Sequence, residues 1–122
     1  MSKKVLVVDD EENIVELITI NLENSGYEVV SASDGTTGLV KALASHYDLI
    51  ILDVRMPGID GFSVCKNIKN NPKTKDIPVI FLTAATQKKD YETAKVSDCD
   101  YYFPKPFDPE ELVKIVDSIL KG

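Results

Sequence analysis

Residues 5–10 read Val-Leu-Val-Val-Asp-Asp, and residues 49–53 read Leu-Ile-Ile-Leu-Asp. In both stretches a short apolar run stops at a carboxylate, a pattern typical of a buried strand that carries an acid to one edge of a sheet. If the two strands are neighbours, the carboxylates of Asp9, Asp10 and Asp53 converge. Because such a cluster is unstable without a hard cation, the pattern indicates metal-assisted chemistry, for which phosphate is the best-suited substrate.

The bulk composition limits the class of protein. A chain of 122 residues is long enough for one domain with a real core, so we expect residues 1–122 to form a single domain. A net charge of −6 argues against direct binding of nucleic acid. The longest apolar runs are too short for a signal peptide or a membrane span. Cys65 and Cys99 lack the spacing of a metal site and are typical of reduced thiols in a cytoplasmic protein.

Strand-like and helix-like segments alternate along the whole chain. Five βα units with short connections predict an α/β fold, namely a doubly wound, five-stranded parallel sheet with five helices on its two faces. The predicted strands are Lys4–Val8, Glu28–Ser33, Asp48–Leu52, Pro78–Leu82 and Asp100–Phe103. The first predicted helix ends at Gly26 and has an apolar stripe of Ile14, Leu17, Ile18 and Leu22. The second covers residues 36–45 with Asp34 as its cap, and the third has Phe62, Cys65 and Ile68 on one face. The fourth covers residues 88–96, and the fifth begins near Asp108 and Pro109.

Polar residues follow several of these strands. In a doubly wound sheet the ligand crevice lies at the carboxyl ends of the strands. The acids after the first and third strands, Thr83 after the fourth and Lys105 after the fifth therefore all belong to one edge of one sheet. Chance placement of these groups on that edge is improbable, so we interpret them as one site.

Four short segments together resemble the receiver domain of two-component response regulators. They are residues 7–11 (Val-Val-Asp-Asp-Glu), 52–58 (Leu-Asp-Val-Arg-Met-Pro-Gly), 82–84 (Leu-Thr-Ala) and 105–107 (Lys-Pro-Phe). The resemblance extends over residues 3–121 in the order and spacing of that family. It implies a flavodoxin-like sheet with strand order 2-1-3-4-5.

The resemblance also implies a role for each acid. Asp53 would accept a phosphoryl group, because a carboxylate can attack phosphorus to give an acyl phosphate. Asp9, Asp10 and Asp53, with the backbone carbonyl of Arg55, would bind Mg²⁺, and Asp9 would act mainly through water. Glu11 is assigned, with its neighbour Glu12, mainly to stabilising the start of the first helix.

Three further residues receive roles from the resemblance. Lys105 would contact the phosphoryl group, and a cis bond is expected between it and Pro106. The Thr83 hydroxyl would hydrogen-bond a phosphoryl oxygen, and the Tyr102 ring would turn inward as Thr83 moves. Each residue also has a simpler explanation: Lys105 could be a solvated surface lysine, Thr83 could hydrogen-bond nearby backbone, and Tyr102 could be a half-buried aromatic on an edge strand. For Tyr101 and Phe103 we prefer this last explanation.

The implied function is a phosphorylation switch in the cytoplasm, and not an enzyme in the ordinary sense. The phosphodonor would be a phosphohistidine of a sensor histidine kinase or phosphotransfer protein, because the lone His46 has no partner nearby in sequence. Phosphorylation would reorganise the predicted fourth helix, fifth strand and fifth helix, the face that would bind a downstream effector or a second copy of the chain. No contact with a membrane is expected.

Two other classes of protein compete with this interpretation. A phosphatase of the haloacid-dehalogenase type also forms an aspartyl phosphate, but it needs a second aspartate two positions after the nucleophile, where this chain has Arg55. A flavodoxin-like flavin protein would have a Ser/Thr/Gly-rich loop after its first strand. Here that loop reads Asp-Asp-Glu-Glu, which would repel a phosphate group in the absence of a metal.

Overall fold

The computed structural model describes residues 2–84 and 100–121. The predicted helix over residues 88–96 lies outside these ranges. The strands are β1 (Lys4–Val8), β2 (Glu28–Ala32), β3 (Leu49–Asp53), β4 (Val79–Ala84) and β5 (Tyr101–Lys105). The described helices are α1 (Glu12–Asn24), α2 (Gly35–Ala44), α3 (Gly61–Lys69) and α4 (Pro109–Leu120). None of them has the length and apolar content that crossing a bilayer would take.

The five strands form one sheet in the order β2-β1-β3-β4-β5, and every pair is parallel. Both the doubly wound fold and the expected strand order are therefore confirmed. The register of the two central strands decides the position of the acids. Val8 pairs with Leu52, so the next residues along the chain, Asp9 and Asp53, stand side by side at the carboxyl edge.

The core has one layer on each face of the sheet, because successive strand residues point to opposite sides. One layer lies under α2 and α3, and the other lies under α1 and α4. All five residues of β3 are buried, as expected for the central strand of a parallel sheet. Each fully buried aliphatic side chain of this kind contributes about 1.5–3 kcal/mol, so the sheet that carries the acids is firmly held.

The helix ends follow the predicted signals. The Asp34 side chain accepts a hydrogen bond from the Thr37 amide at 2.7 Å, and the Asp108 side chain caps α4 at the Glu110 amide. Gly26 follows α1 with a φ of +94°, the left-handed conformation that favours glycine.

One position of the predicted core stripe of α1 is wrong. Leu17 is 38% exposed, while Ile18 and Leu22 are buried and Ile14 packs against the same core layer. The residues that face the sheet are spaced by four, and Leu17 is turned away from that row by one residue, or roughly 100° of helix rotation.

Three strands run further toward the carboxyl edge than predicted, and the first of them, β3, ends at Asp53 and not at Leu52. β4 extends to Ala84, and β5 continues through Pro104 to Lys105. Proline is tolerated there because β5 is an edge strand. The start of β5 is held by the Asp100 carboxylate, whose Oδ2 accepts a hydrogen bond from the Val79 amide at 2.8 Å and contacts Lys69 Nζ at 2.7 Å. This anchor fixes the register that places Lys105 opposite Ala84.

Candidate functional site

Asp53 lies at the carboxyl end of the central strand with only 5% of its surface exposed. The chain turns immediately after it. Val54 donates its amide to the Leu82 carbonyl at 3.2 Å, and its own carbonyl accepts the Gly61 amide at 2.9 Å. The turn between them includes Gly58 at a φ of +79°. The two backbone hydrogen bonds of Val54 therefore fix the chain immediately after Asp53.

Gly61 is required by this turn, because its Cα packs directly on the Asp53 backbone. A Cβ added at position 61 would overlap the Asp53 carbonyl oxygen and lie 2.9 Å from the Val54 Cα. Backbone cannot give way as a flexible side chain can, so no larger residue fits without moving Asp53. No pattern in the sequence predicted this role for Gly61. Its place three residues after Gly58, at the start of α3, was the only available signal.

Asp9 is the second buried acid of the site, with 1% of its surface exposed. Its amide donates to the Ala32 carbonyl at 3.1 Å, which extends the β1–β2 ladder by one residue. Its Oδ1 atom accepts the Glu11 amide at 2.9 Å. Asp10 lies beside it but is exposed. Asp9 is thus held at the sheet edge by hydrogen bonds, whereas Asp10 faces solvent.

Lys105 reaches back over the acids, as the resemblance implied. Its Nζ atom lies 3.1 Å from Asp9 Oδ2, 3.2 Å from Glu11 Oε1 and 3.3 Å from Asp53 Oδ1. Its side chain is only 15% exposed, so the interpretation as a solvated surface lysine is wrong. The expected cis bond between Lys105 and Pro106 is present.

The electrostatics of the site are dominated by the buried carboxylates. Burial, followed by repulsion from Asp9, raises the pKa of Asp53 to about 7 despite the attraction of Lys105. Burial also raises the pKa of Asp9. Burial by itself would lower the pKa of Lys105, but the Asp53 and Asp9 carboxylates outweigh it and the pKa is raised. One lysine therefore neutralises the buried acids only in part.

The acidic residues have the chemistry of a site for a hard cation. Asp9, Asp10, Glu11 and Asp53 each offer a carboxylate oxygen, and these oxygens lie within 4.8 Å of one another. Divalent cations such as Mg²⁺ prefer oxygen ligands of this kind. The raised pKa values of Asp9 and Asp53 also fit, because a cation would favour the ionised carboxylates that burial disfavours. The cluster can therefore hold a metal ion.

Thr83 is brought to the same edge by the register of β3 and β4. Asp53 pairs with Leu82, and Thr83 is the next residue. Its side chain is buried, with 1% exposure, and its hydroxyl has no hydrogen-bond partner in residues 2–84 and 100–121. The simpler explanation, a hydroxyl bonded to nearby backbone, therefore does not hold within these ranges. An unsatisfied buried hydroxyl is costly, so a ligand oxygen would stabilise it.

The remaining predicted residues lie around this centre. Tyr102 is half-buried and packs against the core layer under α2 and α3, whereas Tyr101 is 43% exposed. Phe103 packs edge to face on Phe107, with ring centroids 5.7 Å apart. Arg55 follows Asp53 by two residues, in the loop, with an exposed side chain.

Glu11 lies at the start of the first helix, as predicted, but its side chain makes a contact that was not predicted. It occupies the N-cap position of α1, but its side chain makes no capping hydrogen bond. It contacts Lys105 instead, at 3.2 Å. A run of acids before a helix is a common capping signal, and only the return of β5 to this edge shows that a cation lies within reach.

Comparison with known proteins agrees with this arrangement. The response regulator receiver domain family matches residues 5–117. The alkaline phosphatase synthesis transcriptional regulatory protein PhoP of Bacillus subtilis is 45% identical over 121 residues, which cover 99% of this chain and 50% of that protein. The chain thus spans about half the length of this curated relative.

Solved structures agree as well. A chemotaxis response regulator of Vibrio cholerae superposes with a TM-score of 0.91 at 35% identity, covering 98% of this chain and all of the other. The response regulator TrrA of Thermotoga maritima, solved in complex with Mg²⁺ and beryllofluoride, gives a TM-score of 0.84 at 40% identity, covering 97% of this chain and 99% of the other. The chain therefore belongs to the receiver domain family of two-component response regulators.

Proposed function

We propose that Asp53 accepts a phosphoryl group from a phosphohistidine of a sensor histidine kinase or a phosphotransfer protein. The observation that carries the proposal is the position of Lys105 Nζ, 3.3 Å from Asp53 Oδ1 inside a cluster of carboxylates. A nucleophile, a fixed cation and a set of hard oxygen ligands thus occur within one small site. Receiver domains are signalling switches, and we infer that this chain is one and not an enzyme.

The proposed transfer is a single displacement at phosphorus. A carboxylate oxygen of Asp53 forms the new O–P bond while the P–N bond of the phosphohistidine breaks, and the electron pair of that bond returns to the imidazole nitrogen, which then takes up a proton. Most of the acceleration in such reactions comes from positioning and charge stabilisation. The backbone hydrogen bonds around Val54 and Gly61 position the nucleophile here.

We infer that the cation of this site is Mg²⁺, held by Asp9, Asp10, Asp53 and the backbone carbonyl of Arg55. When bound, it supplies positive charge that keeps the carboxylates ionised and neutralises phosphoryl oxygens. The related Thermotoga protein was solved with Mg²⁺ and beryllofluoride, which supports the choice of metal. Asp9 would act mainly through water, while the exposed Asp10 is accessible to a cation.

Two side chains would hydrogen-bond the new phosphoryl group. Lys105 already lies beside Asp53 and would donate to a phosphoryl oxygen. Thr83 would satisfy its buried hydroxyl in the same way, and its movement would let the Tyr102 ring turn inward. The added negative charge would thus alter the conformation of the surface formed by β5 and α4, the helix that was predicted as the fifth.

The partners follow from this role. Besides the phosphodonor, we propose a downstream effector protein or effector domain, and a homodimer that forms on phosphorylation as a further hypothesis. We infer no direct contact with nucleic acid by residues 1–122, which we regard as a single receiver domain with a net charge of −6. The exchange would take place in the cytoplasm, where thiols such as those of Cys65 and Cys99 stay reduced.

The test is intact mass spectrometry after incubation with acetyl phosphate and Mg²⁺. We expect one added phosphoryl group on the wild-type chain and none on Asp53→Asn. The Asp60→Asn variant is the matched control, because Asp60 is an exposed helix cap after the same strand and should leave the adduct in place. No adduct on the wild type, or an unchanged adduct on Asp53→Asn, would refute the proposal, and yellow absorbance of the purified protein would favour a flavoprotein.

A further inference from the structure

Lys105 is surrounded by three carboxylates that differ in their surroundings. Asp9 and Asp53 are buried, with side-chain exposures of 0% and 7%, while the Glu11 side chain is 60% exposed. The contact with Glu11 also has hydrogen-bond geometry, at 3.2 Å. The contacts with Asp9 and Asp53 are ion-pair distances only, and Asp9 Oδ2 has no hydrogen-bond partner within residues 2–84 and 100–121.

We propose that Glu11 is a positioning residue that holds Lys105 in its resting place and thereby opposes the binding of a phosphoryl group at Asp53. This inference rests on the function proposed above. Glu11 is not one of the two buried acids, and its proposed effect is to lower the affinity of the site for a phosphoryl group.

Glu11 and a phosphoryl oxygen on Asp53 would compete for the Lys105 ammonium group. A phosphoryl group on Asp53 takes the place of the Asp53 contact itself and would draw the Lys105 ammonium group towards its oxygens, away from Asp9 or Glu11. Releasing Asp9 would leave a buried carboxylate without its cation, which is expensive. Releasing Glu11 exposes a carboxylate that is already mostly in water. The contact between Glu11 and Lys105 is therefore the one that breaks. The strength of this contact determines how readily Lys105 binds a phosphoryl oxygen.

The Glu11 side chain can be changed without disturbing the backbone of the site. The structural hydrogen bond of residue 11 to Asp9 Oδ1 comes from its backbone amide, which any residue except proline keeps. Exposed ion pairs contribute little to stability, so Glu11→Gln should fold normally. The same range of strengths predicts a binding change of about two- to fivefold when the contact is removed.

The experiment compares Glu11→Gln with Glu12→Gln. Glu12 is the next residue, carries the same charge in the first turn of α1, and makes no ion pair with Lys105 within residues 2–84 and 100–121. Beryllofluoride affinity is measured by calorimetry at saturating Mg²⁺. The side-chain NMR signal of the Lys105 Cε group is then recorded in metal-free protein with a chelator present.

We expect Glu11→Gln to bind beryllofluoride about two- to fivefold more tightly and to shift the Lys105 signal, while Glu12→Gln matches the wild type in both measurements. Equal or weaker binding by Glu11→Gln, the same tightening in Glu12→Gln, or an unmoved Lys105 signal would overturn the inference. If the wild type itself binds no beryllofluoride, or if Asp53→Asn still binds it, the proposed function fails instead, so the two failures can be told apart.

Discussion

The Nζ atom of Lys105 lies 3.3 Å from Oδ1 of Asp53, although one residue ends the edge strand and the other ends the central strand. This contact exists because β4 stands between those strands in fixed register. Lys105 therefore contributes positive charge beside two buried carboxylates, those of Asp53 and Asp9. The charge balance of the site, and with it several testable properties, depends on that lysine.

Removal of Lys105 should destabilise the metal-free protein. Lys105→Ala leaves Asp9 and Asp53 buried without their cation, and we expect unfolding at pH 8 to become about 1–3 kcal/mol easier by urea titration. The matched control is Lys114→Ala on α4, whose side chain is 73% exposed and pairs with Glu111, and it should change stability by less than about 0.5 kcal/mol. Equal effects of the two substitutions would contradict this account.

Asp53 should make the stability of metal-free protein depend on pH. Its pKa is raised from 3.8 to about 7 in the folded chain, so the folded state binds the proton more tightly than the unfolded chain does. The contribution of Asp53 to stability is therefore favourable below pH 4 and is lost as the pH rises through about 7. Asp53→Asn should accordingly stabilise the metal-free protein by about 1–3 kcal/mol at pH 8 and by much less at pH 4.

The measurement is chemical denaturation of both chains across that pH range, with a chelator present. Mg²⁺ should stabilise the wild type more at pH 8 than at pH 5, because protons and metal compete for the same carboxylate. A difference between wild type and Asp53→Asn that stays constant with pH would show that the Asp53 pKa is not raised.

Thr83 offers a substitution with opposite effects on stability and on response. Its buried hydroxyl is unsatisfied within the described residues, so Thr83→Val should keep or raise the stability of the unmodified protein, by up to about 1 kcal/mol. The same variant should lose most of the NMR shift of the Tyr102 ring on addition of beryllofluoride. Thr83→Ser keeps the hydroxyl and serves as the control. A full Tyr102 response in Thr83→Val would remove Thr83 from the switch.

Gly61 should tolerate no side chain, because the position of Asp53 depends on it. Gly61→Ala places a methyl group against the Asp53 backbone, and we expect a loss of about 1–3 kcal/mol together with a lower rate of labelling by acetyl phosphate. Gly58→Asn is the control. Position 58 has a φ of +79° but open space around it, and asparagine accepts that conformation with little cost. Normal labelling of Gly61→Ala would mean that the turn adapts without moving Asp53.

The strands and the placement of the acids on one edge of the sheet were predictable because each rests on a local pattern. A short apolar run that stops at an acid is sufficient to predict a buried strand, and parallel strands deliver their carboxyl ends to one edge. The proximity of Lys105 to Asp53 was different. It followed from the family resemblance, since neither the strand order nor the register can be read from local periodicity.

The contacts of Glu11 and Gly61 were not predicted, and for both residues the physical reason is the same. The roles of Glu11 and Gly61 depend on chain segments that return to them from elsewhere in the fold, namely β5 for Glu11 and the backbone after β3 for Gly61. Leu17 was misplaced for a local reason, because an apolar residue one position off a helix stripe looks the same in sequence as one within it. Sequence therefore predicted which groups reach the site edge better than it predicted their contacts there.

The most direct test of the central claim is chemical trapping of the acyl phosphate. The protein is labelled with acetyl phosphate and Mg²⁺ and then treated with borohydride, which reduces an aspartyl phosphate to the corresponding alcohol and releases phosphate. Peptide mapping by mass spectrometry then locates the altered residue. We expect the alcohol at position 53 and nowhere else. Reduction at Asp9 or Asp10, or no reduction at any aspartate of a labelled protein, would contradict the assignment of Asp53 as the phosphoacceptor.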